Sequence, residues 1–109
     1  MNDKRKQVRT EISAEIEVRD HHSGEPVGRL VNLSPSGMML FVGREIAPHS
    51  VYQFDLLLPG VVLETDTLTL GAESLWCQPC ESGEFCAGFH LIDIPPDQQD
   101  VLAALIQGE

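Results

Sequence analysis

The sequence predicts an all-β domain closed by a short C-terminal helix. Three observations carry that expectation. Apolar runs of strand length recur along the chain; Gly, Pro, Asn and Ser separate them about every ten residues; and the apolar spacing turns helical at the C-terminal end. The 109 residues suit one domain, a size at which folding buries roughly two-thirds of the unfolded chain's surface.

"ISAEIEV" (Ile12 to Val18) has apolar residues at 12, 14, 16 and 18 and reads as a half-buried strand. "DHHSGEP" is a turn by composition, and "VGRLVN" is the returning strand. "MMLFV" is a short, continuously apolar strand, followed by a loop in "GREIAPHS". "VYQFDLLLP" (Val51 to Pro59) makes the next strand, "GVVLETDTLTLGAESLWC" one or two more, and "EFCAGFHLIDI" the last. "PPDQQDVLAALIQGE" opens with two prolines and Asp97 and sets Val101, Leu102, Leu105 and Ile106 on one helical face, with Gly108 as a stop. That face is expected to pack on the β domain. Alternation and turn spacing alone leave a sandwich and a barrel equally open.

A hydrophobic content of 42% with 22% charged residues argues for a packed core. The formal charge of −10 argues against nucleic acid, whose phosphates need a basic face. No apolar run reaches membrane-spanning length and no secretory signal is evident, so a cytoplasmic protein without membrane insertion is expected. Three cysteines, an odd number, fit a reducing compartment better than a disulfide framework. Four of the seven basic residues, Lys4, Arg5, Lys6 and Arg9, precede residue 10; Arg19, Arg29 and Arg44 face sixteen of the seventeen acids. The expected organisation is a flexible basic arm over residues 1–10 and a β domain over 11–109.

Between "RLV" and "MMLFV" lies "NLSPSG", Asn32 to Gly37, richer in polar groups than a plain hairpin turn requires. Its side chains are expected to face outward, although Asn and Ser can also cap the turn's own backbone. Pro35 stiffens the turn, and Gly37 permits positive φ or a close backbone approach.

Arg5 and Arg9 in "RKQVR", followed by Asn32-Leu33-Ser34-Pro35-Ser36-Gly37, form an RxxxR and [D/N]xSxxG pair. The pair resembles the signature of the PilZ domain family, whose members bind the bacterial second messenger cyclic di-GMP. "LWCQPCESGEFCAGFHL" is similar to that family's penultimate hairpin, with a Trp on one strand and a Gly on the next. The resemblance implies a six-stranded antiparallel β-barrel with a C-terminal α-helix. It also implies that Arg5, Arg9, Asn32, Ser34 and Gly37 bind the ligand, with Lys4 and Ser36 as further candidates. The family often has Asp where this chain has Asn32, and Asn carries no charge to orient an arginine.

The residue types suit a ligand with two guanines and two phosphates. An arginine fork matches phosphate oxygens or a guanine edge, and its flat face stacks on a base. The implied mechanism is an arm that is mobile when free and folds over the ligand when bound, changing the charge and shape of one face read by an unidentified downstream protein. Two alternatives remain: an adaptor of the same fold serving pilus or flagellar motility without nucleotide, and a small zinc or thiol protein built on "CQPC" with Cys86 and His90. In a hairpin flanked by aromatics, however, a Cys is more often a small core hydrophobe. No catalytic motif, resident cofactor or metal site is expected, so the chain is read as a non-enzyme.

Overall fold

The computed structural model describes residues 10, 11, 15–80 and 83–108, and the arm carrying Lys4, Arg5 and Arg9 lies outside them. In the described residues the strands are β1 (Thr10–Glu11), β2 (Glu17–Asp20), β3 (Pro26–Leu33), β4 (Gly37–Val42), β5 (Val51–Val62), β6 (Thr65–Pro79) and β7 (Phe85–Asp93). Helix α1 (Pro96–Gly108) follows. All pairings are antiparallel. The order β3-β2-β5-β6-β7-β4 closes because β4 also pairs with β3. The result is the six-stranded barrel that the resemblance implies, and closure removes the unpaired edges a sandwich would keep. β1 lies on β3 beyond the end of β2, with Thr10 opposite Leu33 and Glu11 opposite Asn32.

Alternation fills the barrel. Val18, Leu30, Leu33, Met38, Leu40, Val42, Leu56, Leu68, Leu70 and Ala87 point inward and are buried. Phe54 and Phe89 meet edge to face at 5.3 Å in their midst, with Tyr52 stacked on Phe54 at 5.2 Å. Ile16 is fully buried although its residue lies just outside β2. The strand expected over Ile12–Val18 is therefore displaced, its paired parts being β1 and β2.

The long hairpin departs from expectation in the same way. β5 runs through Pro59 and Gly60 to Val62, where pairing with β6 shifts register between Leu57 and Val62. Proline is tolerated at such an irregularity because no ladder bond needs its missing N–H. The turn itself is Leu63-Glu64, both in the left-handed region at φ 49° and 70°. Neither is a usual turn former, which hides the turn from a composition reading.

The β4–β5 connection crosses one end of the barrel and is pinned there. Ile46 inserts at 8% exposure, and its N–H donates to Cys77 Sγ at 3.4 Å. Buried Ser74 donates its hydroxyl to the Ala47 carbonyl at 2.7 Å and accepts the Ser50 N–H at 2.9 Å. At the other end α1 buries Val101, Leu102 and Leu105, with Ile106 packed against the core. Each is worth about 1.5–3 kcal/mol when fully buried. Pro96 starts the helix, and the Pro95 carbonyl accepts the N–H groups of Gln98 and Gln99. The Thr69 N–H donates to Gln98 Oε1 at 2.8 Å, so the helix satisfies a β6 donor lying beyond the end of its pairing with β7. No helix among the described residues is long and apolar enough to cross a membrane.

Ser74→Ala leaves the Ala47 carbonyl and the Ser50 N–H without their side-chain partner. It is expected to cost about 1–3 kcal/mol in urea unfolding without altering strand content by circular dichroism.

Candidate ligand-binding face

The "NLSPSG" turn is held by its own serine. The Ser34 N–H donates to the Gly37 carbonyl at 2.9 Å; its hydroxyl donates to that carbonyl at 3.3 Å and accepts the Gly37 N–H at 3.2 Å. Ser34 is 1% exposed. The expectation of an outward-facing hydroxyl is therefore corrected: Ser34 shapes the turn, because a buried hydroxyl bonds the nearest free backbone groups. Gly37 opens β4 opposite His90, and positive φ among the described glycines occurs at Gly24 and Gly83, so Gly37 does not use the left-handed region. Pro35 is exposed, and the Ser36 carbonyl accepts the Leu91 N–H at 2.8 Å, tying the turn to β7.

Register carries the turn's first residue onto a wider surface. Asn32 is opposite Met39, Met39 opposite Gly88, and Gly88 opposite Trp76. These four residues form one row across β3, β4, β7 and β6 on the outside of the barrel. Two bulges make this possible. Val31 is the extra residue between the pairs Leu30–Leu40 and Asn32–Met39, and Leu75 is the extra residue between Ser74–Phe89 and Trp76–Gly88. Each bulge turns the next residue outward.

Gly88 is the floor under Trp76. A Cβ there would lie 2.3 Å from the indole Nε1 and 2.4 Å from Cε2, so only glycine lets the ring lie against the strand. Trp76 is nevertheless 40% exposed and presents part of the indole to solvent. The neighbouring row runs Arg29, Phe41, Cys86 and Gln78. The Arg29 guanidinium lies 4.9 Å from the Phe41 ring centroid and 3.5 Å from Glu84. An open depression of about 640 Å³ adjoins it, lined in part by Glu15, Glu17, Gly28 and Glu84. On the other side of the Asn32 row, His90 stands between Gly37 and Glu73.

Of the residues expected at the site, Asn32, Ser34, Ser36 and Gly37 are thus gathered at one corner of this face, and Lys4, Arg5 and Arg9 fall outside the described residues. β1 brings the chain to that corner: Thr10, which follows Arg9 in the sequence, is registered on Leu33. Trp76, Met39 and Arg29 were not singled out as site residues from the sequence. A lone Trp followed across a hairpin by Gly is a usable signal for Trp76, whereas the two bulges that orient the row leave no mark in residue type.

The cysteine reading also changes. Cys80 is disulfide-bonded to Cys86 with a Cα–Cα distance of 5.7 Å, so they are not free packing groups. Cys77 is the free thiol, partly buried and packed against the core, as expected of it. Cys77 faces the barrel interior and His90 the exterior, so "CQPC" with Cys86 and His90 does not converge on a zinc centre. No group of three or more His, Cys, Asp or Glu among the described residues does so.

A protein-family model described as PilZ domain matches residues 3–108. No curated protein matches the chain. Among solved structures, the inhibitor of motility MotI/DgrA of Bacillus subtilis is 17% identical, with a TM-score of 0.74, over 98% of this chain and 51% of that one. The chain therefore spans about half the length of MotI. The PilZ domain of YcgR from Escherichia coli, solved with c-di-GMP, is 12% identical, with a TM-score of 0.72, over 97% and 91% of the two chains. The PilZ domain of CeSA from a cellulose-synthesizing bacterium is 17% identical, with a TM-score of 0.60, over 93% and 96%. At these identities the likeness is one of fold.

Gly88→Ala is expected to push the indole off the strand, shift the emission maximum of the single tryptophan, and cost about 1–3 kcal/mol by overpacking. Unfolding followed by fluorescence and by circular dichroism checks both effects.

Proposed function

The chain belongs to the PilZ domain family, and on that premise we propose that it is a cytoplasmic receptor for cyclic di-GMP that signals by binding rather than by catalysis. The observation that carries this reading is the row Asn32, Met39, Gly88 and Trp76, with β1 leading the chain that follows Arg9 to its Asn32 end. A flat apolar floor ending in an exposed indole suits a purine face, since base–aromatic stacking is worth about 1–3 kcal/mol per base. An amide at the other end suits a guanine edge.

The phosphates need positive charge, which the acidic body does not offer in quantity. Arg5 and Arg9 supply it from the arm. Their forks take phosphate oxygens or guanine O6 and N7, and Lys4 adds a point charge beside them. Asn32, Gly37 and Ser36 form the opposing wall, and Ser34 acts through the shape of the turn. Folding the arm over the ligand costs on the order of 2–5 kcal/mol of gross interaction energy. A net affinity near micromolar, about 8 kcal/mol, is consistent with that cost. Neutralising the arm's charges against a bound dianion changes one face of the protein, and a downstream protein reads that face. The solved complex of the YcgR PilZ domain with c-di-GMP supports the choice of ligand.

Titration of cyclic di-GMP by calorimetry, with Trp76 emission recorded in parallel and GTP as control, tests the reading. Saturable micromolar binding with a change in Trp76 emission is expected. Arg9→Ala is expected to weaken binding at least tenfold, the loss of a charged hydrogen-bond pair being worth about 1.5–3 kcal/mol. Heat without discrimination from GTP, or none at all, would sink it.

A further inference from the structure

We propose that Cys80 and Cys86 form a reversible thiol–disulfide switch that decides whether Glu84 neutralises Arg29 on the ligand-binding face. The affinity consequence rests on the receptor reading above; the switch itself does not. The two cysteines are six positions apart at the loop end of the β6–β7 hairpin: Cys80 lies one residue past Pro79, and Cys86 lies on β7 opposite Gln78, one rung inside the registered pair Pro79–Phe85. Their Cα–Cα distance of 5.7 Å lies in the range a disulfide spans without backbone movement. Both are half-buried, within reach of a small thiol reagent, whereas Cys77 faces inward and accepts the Ile46 N–H. The barrel is closed by strand pairing alone, and a bond closing so short a loop constrains the unfolded chain little, so the fold survives its reduction.

The bond sits where it affects charge. Cys86 follows Phe41 in the row that starts at Arg29. Inside the loop, the Cys80 N–H donates to the Glu84 carbonyl at 2.7 Å, and the Glu84 carboxylate lies 3.5 Å from Arg29 Nη2. Oxidised, the hairpin end is cross-linked and Glu84 is held against Arg29, with Glu15 and Glu17 lining the same depression. Reduced, the end of the hairpin keeps the Cys80–Glu84 backbone bond but loses its cross-link, and it opens locally more often, which releases Arg29 to an anionic ligand.

The exchange balances with a small disulfide, oxidised glutathione, as oxidant. One cysteine thiolate attacks a glutathione sulfur, breaks its S–S bond and expels glutathione thiolate, leaving a mixed disulfide. The second cysteine thiolate then attacks the protein-bound sulfur, forms the Cys80–Cys86 bond and expels the second glutathione. Two protein thiols are oxidised and one glutathione disulfide is reduced to two thiols, with the two thiol protons passing to the expelled thiolates.

The test uses the full chain equilibrated across ratios of reduced to oxidised glutathione. Maleimide trapping counts the thiols, amide exchange is followed at Cys80, and cyclic di-GMP affinity is measured at both ends of the series. The expected result is a loss of two thiols in one step on oxidation and slower exchange at Cys80 in the oxidised form. Binding should be roughly two- to fivefold tighter in the reduced form, the range of an exposed ion pair. Glu84→Gln should bind with the reduced affinity in both states, and Cys80→Ser should ignore the glutathione ratio. Thiols that never pair, or Cys80 exchange that is the same in both states, would overturn the switch. An affinity difference that persists in Glu84→Gln would overturn the charge coupling. Absence of cyclic di-GMP binding in every form would overturn the receptor reading, while trapping and exchange still decide the switch.

Discussion

The pairing of β3 with β4 closes the sheet on itself, and most of what is distinctive here depends on it. Six strands in a ring leave no edge, so the inward residues form one sealed interior and the outward residues one continuous surface. Without the Leu30–Leu40 and Asn32–Met39 pairs, the β3 side of the candidate face would be separated from the β7 and β6 side that carries Gly88 and Trp76. Ser34 matters for the same reason. By taking both backbone groups of Gly37 it fixes the short turn that sets β4 in register with β3. A polar residue in the core of a hairpin end is normally a liability; here every bond it needs lies within three residues.

Charge gives the barrel its second organising theme. The body is strongly acidic, yet Arg29 stands on the candidate face, above an aromatic ring and beside Glu84. Such a half-exposed pair contributes little to stability. What it changes is local potential, because an arginine shared with a carboxylate is a poorer partner for phosphate than one that is free. The carboxylate comes from Glu84, the residue before β7, so the end of the β6–β7 hairpin sets the charge beside the arginine.

Much of the fold was legible in the sequence. Turn residues and alternation located β3, β4, β7 and α1, and Val101, Leu102 and Leu105 pack as their spacing requires. Barrel against sandwich was not decidable from pattern, since both bury alternate residues; the motif resemblance made the distinction. The β5–β6 turn was missed because Leu63 and Glu64 adopt positive φ without the residues that usually signal it. At the site, the location of "NLSPSG" was legible and the inward role of Ser34 was not, because the same residue types serve a ligand or their own backbone. The bond between Cys80 and Cys86 was missed because an odd cysteine count argues from compartment, whereas the hairpin brings two sulfurs together by geometry alone.

The bulges at Val31 and Leu75 work as a reading frame for the sheet. In an uninterrupted strand, the residue two positions after an inward one is also inward. Counting from Leu30 and from Ser74, that rule would send Asn32 and Trp76 into the core. One inserted residue in each strand reverses the count, and both side chains emerge on the same outer row. A chain shortened by one residue at either point could keep every strand, every turn and the same ring order. It would nonetheless exchange surface for interior over the remainder of that strand. Which side chains reach the outer face of this barrel is therefore stored partly in strand length, as an even or odd number, and substitution of side chains alone does not reach it.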